Sequence, residues 1–287
     1  MFLFPALSTP YRLFKIGYTT PARNDQGMRI VLVLCLLVPL SGGEESPAAH
    51  RAAAIASARL GNWRSAETHQ RRALELCPNC APEDRALLRS ELATYLVLAG
   101  FPEAAAPLWR RSIAELPPAS PHIAVQYIGL GVALHAGGHT AEANAAWQKA
   151  CRAANGDKFE DAACRFNIAV VRADWSELES LLPTLLTVPG ALTRATALLQ
   201  TANAAITAGQ PARARLLLDQ ADAVIVWELS ETHPFRASVY DARAHLAEAA
   251  GDAKEAKQWR RKAQKENGAE RYPRGAVSLE ELKRRPQ

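Results

Sequence analysis

Leu60-Gly61-Asn62-Trp63-Arg64-Ser65-Ala66, running on to Ala73-Leu74-Glu75-Leu76-Cys77-Pro78, is the stretch that decides the architecture. It reads as a helix ending at a glycine, then an aromatic residue, an alanine, a second alanine seven residues later and a terminal proline. The frame returns at Gly100, Ala105, Ser112 and Pro117, and again at Gly138, Ala143 and Ala150. It returns once more at Gly209, Ala214 and Ala221, and closes with Gly251, Ala256 and Ala263. A weaker copy, Asp174-Trp175 with Leu178 and Leu185, lies between and has no turn glycine. The turn positions 61, 100, 138, 173, 209 and 251 are 39, 38, 35, 36 and 42 residues apart, a spacing that marks a helical repeat array.

Each element of the frame has a physical reason. Glycine suits the left-handed residue that ends a helix A. Small residues seven apart fall on one face of helix B and let helix A approach closely. Proline cannot continue the backbone ladder and stops helix B, whereas Pro102 and Pro211 open a helix B, where the first turn has spare donors. A single helix pair cannot bury its own apolar face but stacked pairs can, so the expected fold is an all-α solenoid of about six helix-turn-helix repeats. Repeat four lacks the glycine and both alanines, and is expected to pack less regularly and to mark a bend.

These residues resemble tetratricopeptide repeats (TPR) over about residues 47–270. The long spacing, with His233-Pro234 before the last copy, is similar to the kinesin-light-chain-like variety. The resemblance implies a right-handed superhelix whose concave groove, lined by the A helices, holds a protein or peptide partner. By phase along helix A, the groove positions implied are Arg51, Ile55 and Arg59, then Ser90, Thr94 and Val97, then Ile128, Val132 and His135. Asn167, Asn203, Asp241 and His245 follow. An asparagine in such a groove can bind a peptide backbone with both donor and acceptor. The Lys/Asn set with which some family members grip a terminal carboxylate is not reproduced. The middle of the groove is largely apolar and its ends are polar, which suits an extended or helical segment with apolar side chains.

The front of the chain reads as an address. Met28-Arg29 precedes eleven apolar-rich residues, Ile30–Leu40, and Ser41-Gly42-Gly43 follow. This is the form of a signal peptide over 28–43, cleaved near Gly43, and it implies a periplasmic or extracellular protein. The run would span only about 16 Å as a helix, well short of a bilayer core of roughly 30 Å. A second reading starts the chain at Met1 and leaves the run as an N-terminal membrane anchor. Residues 1–27 read as an upstream extension, residues 44–270 as the solenoid, and residues 271–287 as a basic tail. In that tail Ser278 with Glu281 forms a capping box, so a short helix over 279–285 is expected to cover the last repeat.

Charge placement matters more than the net +5. Residues 1–43 hold four Lys/Arg and one Asp, residues 254–287 hold eleven Lys/Arg and five Asp/Glu, and residues 44–253 are therefore at about −4. No basic stripe with stacking groups runs along the body, which argues against nucleic acid. The basic end suits peripheral contact with an anionic membrane, and an alternative reading is an envelope-assembly factor that touches lipid through its tail.

Four cysteines follow the leader: Cys77, Cys80, Cys151 and Cys164. An even count in an exported chain suggests disulfides. Cys151 falls late in helix B of repeat three and Cys164 early in the next helix A, so these two can staple neighbours. Cys77-Pro78-Asn79-Cys80 has redox spacing, and a Cys-based redox protein is a further alternative. The pair lies at a helix C-terminus, however, where the dipole raises a thiol pKa instead of lowering it. Two repeats separate the cysteine pairs, which excludes a four-cysteine zinc site. Gly137-Gly138 breaks the helix between His135 and His139, so these do not form a metal pair. Gly129-Leu130-Gly131 lies inside a helix, where small residues allow close packing. There is no Gly-x-Ser-x-Gly elbow, Walker loop or His-Glu-x-x-His. Neither catalysis nor a cofactor is expected, and the six tryptophans are expected to pack in the core.

Overall fold

The computed structural model describes residues 45–268. They form six antiparallel helix pairs joined by short turns, with no strand among the described residues. In chain order the pairs are α1 (Pro47–Arg59) with α2 (Trp63–Glu75), α3 (Pro82–Leu98) with α4 (Pro102–Glu115), and α5 (Ile123–Ala136) with α6 (Thr140–Ala153). Then come α7 (Lys158–Arg172) with α8 (Trp175–Leu186), α9 (Ala191–Thr207) with α10 (Pro211–Glu228), and α11 (Phe235–Ala249) with α12 (Ala253–Gly268). Each helix packs on the next, and from α3 to α11 each odd helix also touches the next odd helix. That is the contact pattern of a solenoid with the A helices on the inner side. The expected leader and tail lie outside the described residues.

Local chemistry sets the helix ends. Asn62, Asp157 and Asp174 accept backbone N–H groups of the first turns of α2, α7 and α8, and Pro47, Pro82, Pro102 and Pro211 stand at the first helical position, where a missing N–H costs nothing. The turn glycines Gly61, Gly100, Gly138, Gly209 and Gly251 all have positive φ. In repeat four Ala173 takes that conformation at φ 52°, at a cost of about 1–2 kcal/mol for a residue with a Cβ.

Packing follows the seven-residue spacing. Ala66 and Ala73, Ala105 and Ser112, Ala143 and Ala150, Ala214 and Ala221, and Ala256 and Ala263 are all buried. In α8 the same places hold Leu178 and Leu185, also buried. The Gly129-Leu130-Gly131 motif in α5 has a specific use. A Cβ on Gly129 would fall 2.4 Å from the Trp109 ring of α4, and one on Gly131 would fall 2.3 Å from Trp147 Nε1 of α6. Both indoles are fully buried, and Trp147 donates from Nε1 to the Ile128 carbonyl at 3.2 Å. Two tryptophans from successive B helices thus sit against bare backbone of the A helix between them.

Both cysteine pairs are disulfides: Cys77–Cys80, with Cα atoms 5.2 Å apart, and Cys151–Cys164, with Cα atoms 5.6 Å apart. The second ties α6 to α7 across thirteen residues of sequence, a loop whose closure contributes about 3 kcal/mol in the chain-entropy picture. The tryptophans divide. Trp63, Trp109 and Trp147 are core, and Trp175 is half-buried. Trp259 stacks on Tyr240 at 5.6 Å and closes the last pair. Trp227 departs from the expected packing role: it is 84% exposed on the outer face of α10.

Gly131→Ala should cost about 1–3 kcal/mol, because a methyl group in a filled space must displace Trp147. Urea denaturation followed by tryptophan fluorescence measures this, and an unchanged midpoint would show that the indole can move aside freely.

Candidate inner-face site

The inner side begins at α1 with a buried ion pair. Arg51 Nε and Nη2 donate to the Glu91 carboxylate of α3 at 2.8 and 2.6 Å, and Gln70 Nε2 of α2 donates to Glu91 at 2.9 Å and to the Leu88 carbonyl at 3.0 Å. Glu91 is 1% exposed. Burial pushes its carboxyl upward, and the Arg51 and Gln70 hydrogen bonds pull it back down. The Glu91 bonds raise Arg51 in turn. Tyr95, one turn further along α3, is raised by burial and by the neighbouring carboxylate. The pair locks the first two repeats in register, since removing either partner would leave a charge stranded out of water.

The groove positions separate into two groups. Ser90, Thr94, Ile128, Val132 and Asn167 are fully buried. Ser90 Oγ donates to the Ala86 carbonyl or to Gln126 Oε1, at 2.7 and 2.6 Å, and Thr94 Oγ1 donates to the Ser90 carbonyl at 2.8 Å. These hydroxyls serve the helix contacts and not a ligand. Helical phase places them on the inner side, and the close approach of successive A helices then covers them. The second group stays accessible. Arg59, Asp241 and His245 are exposed, while Arg51, Ile55, Val97, His135 and Asn203 are half-buried. His135 lies 3.3 Å from Thr140 Oγ1, with its ring 6.0 Å from that of Trp147, and burial lowers its pKa. The accessible positions thus lie mostly on α1, α9 and α11, toward the two ends of the array.

A contact that helical phase does not reveal joins those ends. Trp63, at the start of α2, meets His233, in the turn between α10 and α11, with ring centroids 5.7 Å apart and planes at 86°. The two residues are 170 positions apart. This is the edge-to-face geometry that aromatic quadrupoles favour. His233 is completely buried, and its Nδ1 accepts the Phe235 N–H at 3.2 Å, which places the proton of the neutral ring on Nε2. The array therefore curls back until its first pair touches the turn before its last. Glu91 and Gln70 were visible in the sequence as polar residues within apolar runs. The Trp63–His233 contact carries no comparable signal, because it depends on curvature summed over five repeats.

Cys77 is 3% exposed and bonded to Cys80, so the dithiol spacing is used here to close the turn after α2. Among the described residues no helix is long and apolar enough to cross a membrane.

No protein-family model matches the chain, and no curated protein matches it. Among solved structures, the nearly identical TPR-like repeats of a Podosopora anserina kinesin light chain are similar at 18% identity and a TM-score of 0.35, covering 79% of this chain and 98% of that one. A variant of the same repeats gives 18% identity and a TM-score of 0.35, over 77% and 96%. At that TM-score the overall paths differ, and the assignment as an all-α solenoid of TPR-like helix pairs rests on this chain's own packing.

Trp63→Ala should cost about 3–5 kcal/mol of stability, as expected for a buried tryptophan, and should also enlarge the radius of gyration in solution scattering. A destabilised variant with unchanged scattering would show that Trp63 fills space within its own repeat without holding the array closed.

Proposed function

We propose that this chain is an exported scaffold that binds a protein or peptide partner along the open rims of its inner face. The observation that carries this reading is the division of the groove positions. The middle positions are packed shut, while Arg59, Asn203, Asp241 and His245 remain reachable on α1, α9 and α11. A surface that offers a cation, an amide, a carboxylate and an imidazole on rigid helices suits recognition of a polar or mixed segment. Export is supported by the leader-like segment ending near Gly43 and by two disulfides, which persist in oxidising compartments. The outer face of α10 adds a candidate contact, with Leu216, Ala223 and Trp227 on one helical stripe and Trp227 largely in water. Exposed tryptophans of this kind mark interaction sites.

The test is capture of a partner from envelope extract by the exported chain, in parallel with an Arg59→Ala/Asn203→Ala/Asp241→Ala variant and a Trp227→Ala variant. A partner lost with the triple variant supports rim recognition. A partner lost only with Trp227→Ala moves the contact to the outer face, and a partner held by all three baits sinks both surfaces.

One observation favours a second reading, peripheral attachment to an anionic membrane. Lys254, Lys257, Arg261 and Lys265 are exposed along α12 at helical spacing, while most arginines elsewhere in the array are engaged with carboxylates. Near an anionic surface each such cation gains about 1 kcal/mol. Changing these four to glutamine should abolish binding to vesicles containing anionic lipid, and wild-type binding should weaken as salt rises. Binding indifferent to salt excludes this reading.

A further inference from the structure

His50, in the first turn of α1, and His69, midway along α2, face each other across the first helix pair. Their Nδ1 atoms are 3.2 Å apart, with ring centroids 5.4 Å apart and planes tilted by 35°. Both side chains are half-buried. Behind His50, Glu45 Oε1 lies 3.8 Å from the other ring nitrogen, Nε2. The second Glu45 oxygen is paired with Arg72, which also pairs with Glu75 at 3.2 Å. The carboxylate therefore favours the proton of His50 on Nε2 and turns the Nδ1 lone pair toward His69. Carboxylates behind metal-bound histidines act in this way, fixing the tautomer and raising the basicity of the ligand nitrogen.

Two like nitrogens can face each other at this distance around a shared proton or around a cation. For an N–H···N hydrogen bond, 3.2 Å is at the long end of the usual range. Two imidazoles on a tetrahedral zinc ion, each 2.0–2.1 Å from the metal, stand about 3.3 Å apart. Adjacent ligands of a square-planar copper(II) ion stand closer, at about 2.8 Å. The separation matches the tetrahedral case. The Arg72 charge beside the pair is balanced by Glu45 and Glu75, so a cation between the rings does not meet an unpaired positive group.

We propose that His50 and His69 bind zinc(II) through their Nδ1 atoms, with Glu45 orienting His50 and water completing the tetrahedron. The proton shared between the two nitrogens leaves to solvent as the metal enters. Among the described residues no third histidine, cysteine or carboxylate converges on the pair, so the site is open, in contrast to the closed four-ligand sites that hold a fold together. The proposal does not depend on the scaffold reading. A zinc ion here would clamp α1 onto α2 at the exposed end of the array.

Zinc titration of the full chain by calorimetry tests this, with both disulfides intact so that no thiol competes. One saturable site is expected. His50→Ala and His69→Ala should each weaken it at least tenfold, Glu45→Gln should weaken it about tenfold as the loss of an orienting carboxylate does, and a His135→Ala/His139→Ala variant should leave it unchanged. Thermal melts in chelator establish that each variant is folded. Nitrogen NMR of the histidine rings provides an independent readout, in which the Nδ1 resonances of His50 and His69 should both move on adding zinc. Absence of saturable binding, binding retained by a His50→Ala/His69→Ala variant, or shifts confined to other histidines would each overturn the proposal.

Discussion

The rest of the structure depends on one constraint: a two-helix unit has an apolar face that it cannot cover by itself. Each pair must lend its surface to the next, and the distance between them is set by the side chains on the shared seam. Alanine or serine at the seven-spaced positions of five B helices keeps that seam narrow, and paired glycines in α5 narrow it further, so that the indoles of Trp109 and Trp147 lie directly on backbone. Close approach on the inner side has a consequence for the polar residues there. Ser90, Thr94 and Asn167 lie at positions that would line an open groove in a wider coil, and here the neighbouring helices cover them.

The same constraint requires something at the ends of the array. The last pair is closed by Trp259 lying on Tyr240, with the Arg243 and Lys262 cations 4.8 and 4.1 Å from the indole centroid. The first pair meets the chain itself, Trp63 against the buried His233. Such a contact trades an open concave surface for burial. The charged pair Arg51–Glu91 is consistent with this economy, because it specifies how α1 sits on α3 more than it adds net stability: hydrophobic isosteres do as well in buried positions.

Much of the fold was legible in the sequence because its determinants are local and repeated. A glycine that must take positive φ, a proline that cannot donate and an alanine that must fit a narrow seam announce themselves at single positions, and five in-phase copies fixed the register of all six pairs. The cysteine at the end of α6 and the one in α7 were close enough in that register for their pairing to follow. The site was less legible. Phase along a helix tells which way a side chain points, but not how near the next helix comes, and that distance separates buried Thr94 from exposed Arg59. Curvature is harder still, since a few degrees per repeat decide whether residues 63 and 233 meet. Trp227 escaped for a different reason: α10 has eighteen residues, so its last turn carries an apolar residue past the reach of its neighbours.

Repeat four shows how the array accommodates an imperfect copy. Leucines at 178 and 185 are bulkier than the alanines they replace and hold α8 further from α7, while Ala173 accepts a left-handed backbone that glycine would take without strain. Both features are costs, and the disulfide from Cys151 to Cys164 sits at the junction where α6 hands over to this weaker pair. A covalent tie constrains the unfolded chain most usefully where native packing is least able to hold neighbours together by itself. The placement of the staple is thus a response to the departure from the repeat, and it makes the middle of this solenoid dependent on an oxidising environment in a way that its regular repeats are not.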